Sequence, residues 1–134
     1  MRLNHAGVLT ATAIHQLLGF LWYSPQLFFG AWARAFRLDP AGLKQGIILP
    51  LIFALFASLT YNYLFAWFMK RLNLRGPFEA VELTIYIWFP LVGLGMTSHY
   101  LFAQIPWSGI LIEIGGIFLN VIVSALIISL WVKK

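Results

Sequence analysis

Charged residues are scarce in this chain. They make up 10% of its 134 residues, whereas hydrophobic residues make up 61%. So few polar side chains cannot cover a soluble globule of this size, and the composition therefore indicates a membrane protein. Because the chain is too short for two separate bundles, we predict a single all-α membrane domain over residues 1–134.

Cysteine is absent, and there are only three His and four acidic residues. The lack of cysteine excludes disulfides, thiolate metal sites and thiol catalysis. The few remaining ligands do not form a zinc or di-iron pattern. His15 and His99 are predicted at different depths, which argues against a bis-histidine haem. No nucleophile motif, phosphate loop or carboxylate dyad is present, so we predict no cofactor, no metal site and no catalytic residues.

The net charge of +5 comes from nine Lys and Arg residues in short connecting segments. This distribution suits anionic lipid headgroups better than nucleic acid, which requires a contiguous basic face. We therefore predict the lipid bilayer as a partner and no nucleic-acid partner.

Long apolar runs predict an integral membrane four-helix bundle. The four spans are expected at about residues 6–23, 47–69, 82–102 and 109–131. Pro90 predicts a kink in the third span. Small and polar residues recur at helical spacing in the fourth span and predict a packing surface, on which we expect a homo-oligomer to assemble.

The stretch after the first span predicts a corner followed by an amphipathic interfacial helix. Pro25 disfavours helical geometry at the preceding residue, so the first helix should end there. From about 26 to 37, a helical wheel separates an arginine face from an aromatic face, as in a helix that lies in the membrane plane. The predicted interface anchors are Trp22, Tyr23, Pro25, Phe28, Trp32 and Phe36.

Four spans place both termini on one side of the membrane. The basic residues on that side are Arg2, Lys70, Arg71, Arg75, Lys133 and Lys134, and those on the other side are Arg34, Arg37 and Lys44. The positive-inside rule then predicts cytoplasmic termini in a plasma (inner) membrane.

His99 and Glu113 form the sharpest chemical hypothesis. They flank Pro106 at equal distances in sequence, so adjacent antiparallel helices should hold them at similar depth. A His–Glu pair in the membrane would carry a proton or hold a cationic ligand. In the alternative interpretation, Glu113 bonds to the loop backbone and His99 is an interface residue.

A second polar group is predicted near the middle of the bundle. His15 and Asn120 fall close to the centres of their spans, with Gln16 and Asn62 within reach. They form either a structural hydrogen-bond cluster or a transport or sensing site.

The run Leu18-Gly19-Phe20-Leu21-Trp22-Tyr23-Ser24-Pro25, followed by Leu27-Phe28 and Gly30-Ala31-Trp32, resembles the opening of the domain of unknown function 1761 family. Leu38-Asp39-Pro40 and His99-Tyr100-Leu101-Phe102 also look like that family. The resemblance implies a small four-span membrane protein. That family has no assigned reaction, so no functional residue is transferred.

These patterns lead to three functional hypotheses. The first is a small transporter or channel-like protein for protons or small solutes, with His15, His99, Glu113 and Asn120 as the working residues. The second is a structural or regulatory membrane subunit that binds a partner protein through the aromatic helix. The third is an enzyme acting on lipid, for which only Glu113 and His99 are available.

Overall fold

Residues 3–131, which the computed structural model describes, form an all-α structure with no β-strand in that range. The helices are α1 (His5–Trp22), α2 (Phe29–Ala35), α3 (Pro40–Gln45), α4 (Ile48–Arg71), α5 (Pro77–Trp88), α6 (Gly95–Phe102) and α7 (Trp107–Leu130), with a π-helical segment, Phe89–Leu94, between α5 and α6. The predicted all-α class is confirmed. Arg2, Lys133 and Lys134, which enter the predicted orientation, lie outside the described residues.

Three helices are long and apolar enough to cross a membrane: α4, the continuous helix Pro77–Phe102, and α7. They are compatible with an integral membrane protein. The first predicted span corresponds to α1, which has 18 residues but is not among these three. Its polar residues, His15 and Gln16 among them, lower its mean hydropathy.

Helix α1 lies between α4 and α7 and runs antiparallel to α7. At its start, the Asn4 side chain accepts a hydrogen bond from the Gly7 N–H and donates one to the Trp131 carbonyl, both at 3.2 Å. At its end, Trp22 Nε1 donates to the Ile112 carbonyl at 2.9 Å. The first and last described residues therefore lie at the same end of the bundle.

The main buried cluster of the bundle lies at that end. Its core cluster consists of Val8, Ala11, Phe65, Ala66, Met69, Ala80, Ala125 and Ile128. The first half of α4 faces outward instead, and its side chains Ile48, Phe53 and Phe56 are 71%, 65% and 66% exposed. Because α4 is packed at one end and free at the other, space opens beside its first half.

Pro90 produces a π-helical segment inside a continuous helix. Proline has no N–H to donate, and a π-helix spreads its turn over about one more residue than an α-helix. The helix also begins at Pro77, ahead of the start predicted near Glu82. Each residue after the π-helical segment therefore points where its immediate predecessor in the sequence would point if the α-helix were uninterrupted.

The helix predicted over about 26–37 is shorter in the structure. Residues 24–28 form turns, α2 covers only Phe29–Ala35, and Arg37 has a left-handed backbone with φ of 53°. Such a short helix is not stable alone. It is held by packing on α7, where Ala35 lies so close to Gly109 that a Cβ on this glycine would be 2.6 Å from the Ala35 Cβ.

The small-residue stripe of α7 packs inside the chain. Gly109 is covered by Ala35, and Gly116 is covered by the Trp22 indole. We had expected these glycines to form the surface of a homo-oligomer. They are instead occupied by α2 and by the end of α1, because bulky side chains of the same chain fill the space that glycine leaves.

Candidate functional site

A cavity of about 750 Å³ lies between α1, α4, α7 and the helix Pro77–Phe102. It occupies the space beside the outward-facing half of α4. Most of its wall is apolar. The polar and aromatic polar residues on the wall are His15, Gln16, Tyr23, Trp32, Ser58, Tyr61, Thr84, Trp88, Glu113 and Asn120. A large apolar pocket with a few polar groups is the usual form of a ligand site.

Glu113 is the acidic residue on this wall. Its Oε1 accepts hydrogen bonds from the Tyr23 hydroxyl at 3.0 Å and from Trp32 Nε1. Its Oε2 accepts one from the Tyr100 hydroxyl at 3.4 Å. The three donors come from the corner after α1, from α2 and from α6. All three are neutral, so none of them balances the charge of an ionised Glu113.

Aromatic stacking positions these donors. The rings of Tyr23 and Trp32 meet edge to face with centroids 4.8 Å apart. Phe36 contacts both Trp32, at 6.0 Å, and Tyr100, at 5.4 Å. Edge-to-face and tilted contacts at these distances stabilise aromatic pairs beyond their area burial. The aromatic face of the α2 region is thus directed at Tyr100 and at Glu113.

The predicted interface anchors therefore have partners inside the protein. Trp22 donates to the Ile112 carbonyl, and its ring packs on Phe28 at 4.5 Å. Tyr23 and Trp32 bind Glu113. Pro25 is exposed in the turn. Their role at the membrane interface stays a prediction.

The structure does not bring His99 to Glu113. His99 is exposed, and the adjacent Tyr100 donates to the carboxylate instead. The equal spacing about Pro106 gave the right depth but the wrong residue. Equal spacing about Pro106 predicts a shared depth, but it does not determine which of two neighbouring side chains of α6 faces α7.

Two members of the predicted central cluster, Gln16 and Asn62, bond to other side chains and not to His15 or Asn120. Gln16 Nε2 donates to Ser58 Oγ at 2.7 Å and to the Ala54 carbonyl at 3.3 Å. Asn62 Nδ2 donates to Thr12 Oγ1 at 3.1 Å. Both pairs connect α1 to α4, so part of the predicted cluster has a structural role.

His15 and Asn120 lie on the cavity wall without a direct bond to each other. His15 Nδ1, Asn120 Oδ1 and Trp88 Nε1 are buried atoms with no hydrogen-bond partner in the described part of the chain. An unpaired buried donor or acceptor costs about 1–3 kcal/mol. Such groups require an explanation, for which a bound water or ligand is the usual one.

Tyr100 and Trp88 were not predicted from the sequence as site residues, and Tyr23 and Trp32 were named as interface anchors. The sequence signal for Tyr100 is its position six residues before Pro106, whereas Glu113 lies seven residues after Pro106. Equal spacing about Pro106 selects His99 instead, because it compares only the depths of residues.

The family model described as "Protein of unknown function (DUF1761)" matches residues 6–129. The chain belongs to the DUF1761 family. The match covers the chain from α1 to the last turn of α7, so it includes the helices around the cavity. No curated protein matches this DUF1761 chain, and no solved structure does. In this DUF1761 protein, the Trp22-Tyr23-Ser24-Pro25 motif supplies the Trp22 contact with α7 and the Tyr23 bond to Glu113.

Proposed function

We propose that this protein is a four-span integral membrane protein in which α1 also crosses the bilayer and α2 lies near its interface. The 18 residues of α1 rise about 27 Å, close to the roughly 30 Å of a hydrocarbon core. The apolar side chains Leu9, Leu17, Phe20 and Leu21 of α1 are more than half exposed. Its polar residues Thr12 and Gln16 bond to α4, so lipid can cover the outer face of α1 without meeting them.

Single cysteines test this topology, because the chain has none of its own. We expect a membrane-impermeant thiol reagent to label His5→Cys and Leu72→Cys from one side, and Gln26→Cys and Ala103→Cys from the other. Labelling of the His5 and Gln26 positions from the same side would show that α1 does not cross the membrane. The orientation with cytoplasmic termini predicts that the first pair is labelled only in inverted vesicles.

Within this architecture, we infer that the protein is a small transporter that moves protons through the cavity. The observation that carries the proposal is the wall of the cavity, on which Glu113 and the unpartnered groups of His15 and Asn120 lie. Ionisable residues inside a membrane bundle are costly and are mostly found on ion or substrate pathways. In this mechanism, Glu113 takes up and releases the proton, and the unpartnered polar atoms bind the water that connects it to the interior.

Proteoliposomes with an internal pH-sensitive dye test proton movement. After a pH gradient is imposed, with valinomycin and K⁺ present to dissipate the membrane potential, we expect wild-type protein to accelerate acidification over empty liposomes. Glu113→Gln should abolish the difference. Glu82→Gln is the matched control, since Glu82 is exposed on α5 and, among residues 3–131, bonds only to Tyr86 on the same helix. Equal rates in wild-type, Glu113→Gln and empty liposomes would refute the proposal.

The alternative of a subunit that binds a partner through the aromatic helix has less support. Trp32 and Phe36, the aromatic residues that such a surface would use, pack against Tyr23 and Tyr100. A partner would have to displace these contacts and the Trp32 bond to Glu113. Stoichiometric co-purification of another protein, without proton flux, would favour this alternative.

A further inference from the structure

We propose that the cavity binds a monovalent organic cation, an ammonium group attached to an apolar body, with the charged group beside Glu113. The inference rests on the proposed function, which gives the cavity its role in transport, and it adds the chemical class of the ligand. It is carried by three features of the wall: one uncompensated carboxylate, an adjacent aromatic cluster, and a large apolar remainder.

The carboxylate supplies the charge selectivity. Its three hydrogen-bond partners are neutral side chains, and the other wall residues within the described part of the chain include no Asp, Lys or Arg. An ionised Glu113 in this apolar wall therefore lacks a counter-charge, which a bound cation provides. A divalent metal ion fits less well, because residues 3–131 contain no group of three His, Asp or Glu side chains able to hold one.

Aromatic rings beside Glu113 favour an organic ammonium over a small inorganic cation. Tyr23, Phe29 and Trp32 all line the cavity, and the rings of Phe29 and Trp32 lie 6.1 Å apart. A cation over such a ring is attracted to its π-face by about 0.5–2 kcal/mol, and alkylated ammonium groups are recognised in this way.

The remaining wall fits an apolar body. Leu43, Ile47, Pro50, Leu51, Leu91 and Val92 line it. The volume of about 750 Å³ lies within the range of roughly 300–1,000 Å³ found for pockets that hold drug-sized ligands. Asn120, only 8% exposed, also lies on the cavity wall, and its Oδ1 has no hydrogen-bond partner among residues 3–131, so it is the acceptor available to a second polar group of the ligand.

Equilibrium dialysis of the full chain in detergent tests the proposal with benzyltrimethylammonium as the probe and benzenesulfonate as an anion of similar size. We expect saturable binding of the cation, no binding of the anion, and an affinity at least tenfold lower in Glu113→Gln. The exposed Glu82→Gln control should bind as the wild type does. Because Gln keeps an acceptor for Tyr23 and Trp32, the variant should stay folded, and circular dichroism checks this.

Two ammonium sources are distinguished by competition. If the natural ligand is a lipid headgroup, phosphatidylcholine added to the micelles competes with the probe and phosphatidylglycerol does not. If it is a free amine, neither lipid competes, and binding of the probe stays unchanged. Either result supports the cation site.

Equal affinity of wild type and folded Glu113→Gln, binding of benzenesulfonate as tight as that of the cation, or an absence of saturable cation binding would each overturn the inference. Its failure is separable from that of the proposed transport. Proton flux without cation binding leaves the transporter and removes the ligand class. Cation binding without proton flux leaves the site and removes the transporter.

Discussion

Gly116→Ala is expected to destabilise the protein, although alanine is the better helix former. An ideal Cβ at this position lies 2.8 Å from Trp22 Nε1 and 2.9 Å from Trp22 Cδ1. Ordinary contact between heavy atoms begins near 3.5 Å, so the indole must move by more than half an ångström. Its hydrogen bond to the Ile112 carbonyl, 2.9 Å long, is then lost or stretched.

The magnitude follows from three contributions. Overpacking costs about 1–3 kcal/mol, and loss of the hydrogen bond about 1 kcal/mol. The Gly-to-Ala gain in helix propensity offsets about 1 kcal/mol. The net expected loss in the free energy of unfolding is therefore about 1–3 kcal/mol.

Gly115→Ala is the matched control in the same helix. Its ideal Cβ lies 3.5 Å from the nearest Trp22 atom, which is ordinary contact. It carries the same change in helix propensity, so the difference between the two variants isolates the displacement of Trp22. We would measure unfolding of the purified protein in mixed micelles with increasing dodecyl sulfate by circular dichroism. Equal stabilities of Gly116→Ala and Gly115→Ala would refute the reasoning.

Further substitutions test the polar contacts. Glu113→Ala should lower the unfolding free energy by more than about 2 kcal/mol in the same assay, because it removes the acceptor of three donors, whereas Glu113→Gln should cost less. Thr12→Val should cost about 1–3 kcal/mol by leaving Asn62 Nδ2 unpaired in a fully buried site, and adding Asn62→Leu should recover part of the loss; additive effects in this double-mutant cycle would contradict the bond. Trp22→Phe should cost about 1 kcal/mol through loss of its N–H, and a variant as stable as the wild type would show that the bond to α7 contributes nothing.

Residue spacing predicts the helical segments of this chain but not the faces they present. Long apolar runs located α4 and α7 to within a few residues, because burial in lipid requires about twenty apolar residues in sequence. The helix that contains the third span begins at Pro77, five residues before the predicted span, because its first turn carries Glu79 and is not part of the apolar run. Charge near a helix start does not mark where the helix begins.

The composition of the candidate site was only partly predictable. Glu113 was identified because an ionisable side chain is energetically costly inside a membrane. Its donor Tyr100 was missed, because equal spacing about Pro106 predicts a shared depth and not which of two neighbouring side chains faces α7. Tyr23 and Trp32 were named as interface anchors from their positions at the end of the first span and on a helical wheel, whereas their direction depends on how the turn after Pro25 folds.

Trp32 of α2 is one of the three donors to Glu113. Local unfolding of α2 therefore depends on whether the Glu113 carboxylate accepts this bond. A helix of seven residues exchanges its amide hydrogens rapidly unless tertiary contacts hold it, and Trp32 is its polar contact with α7. Deuterium uptake by the amides of residues 33–36 therefore reports the occupancy of Glu113. A ligand that draws the carboxylate away should speed this uptake, while α7 itself stays protected.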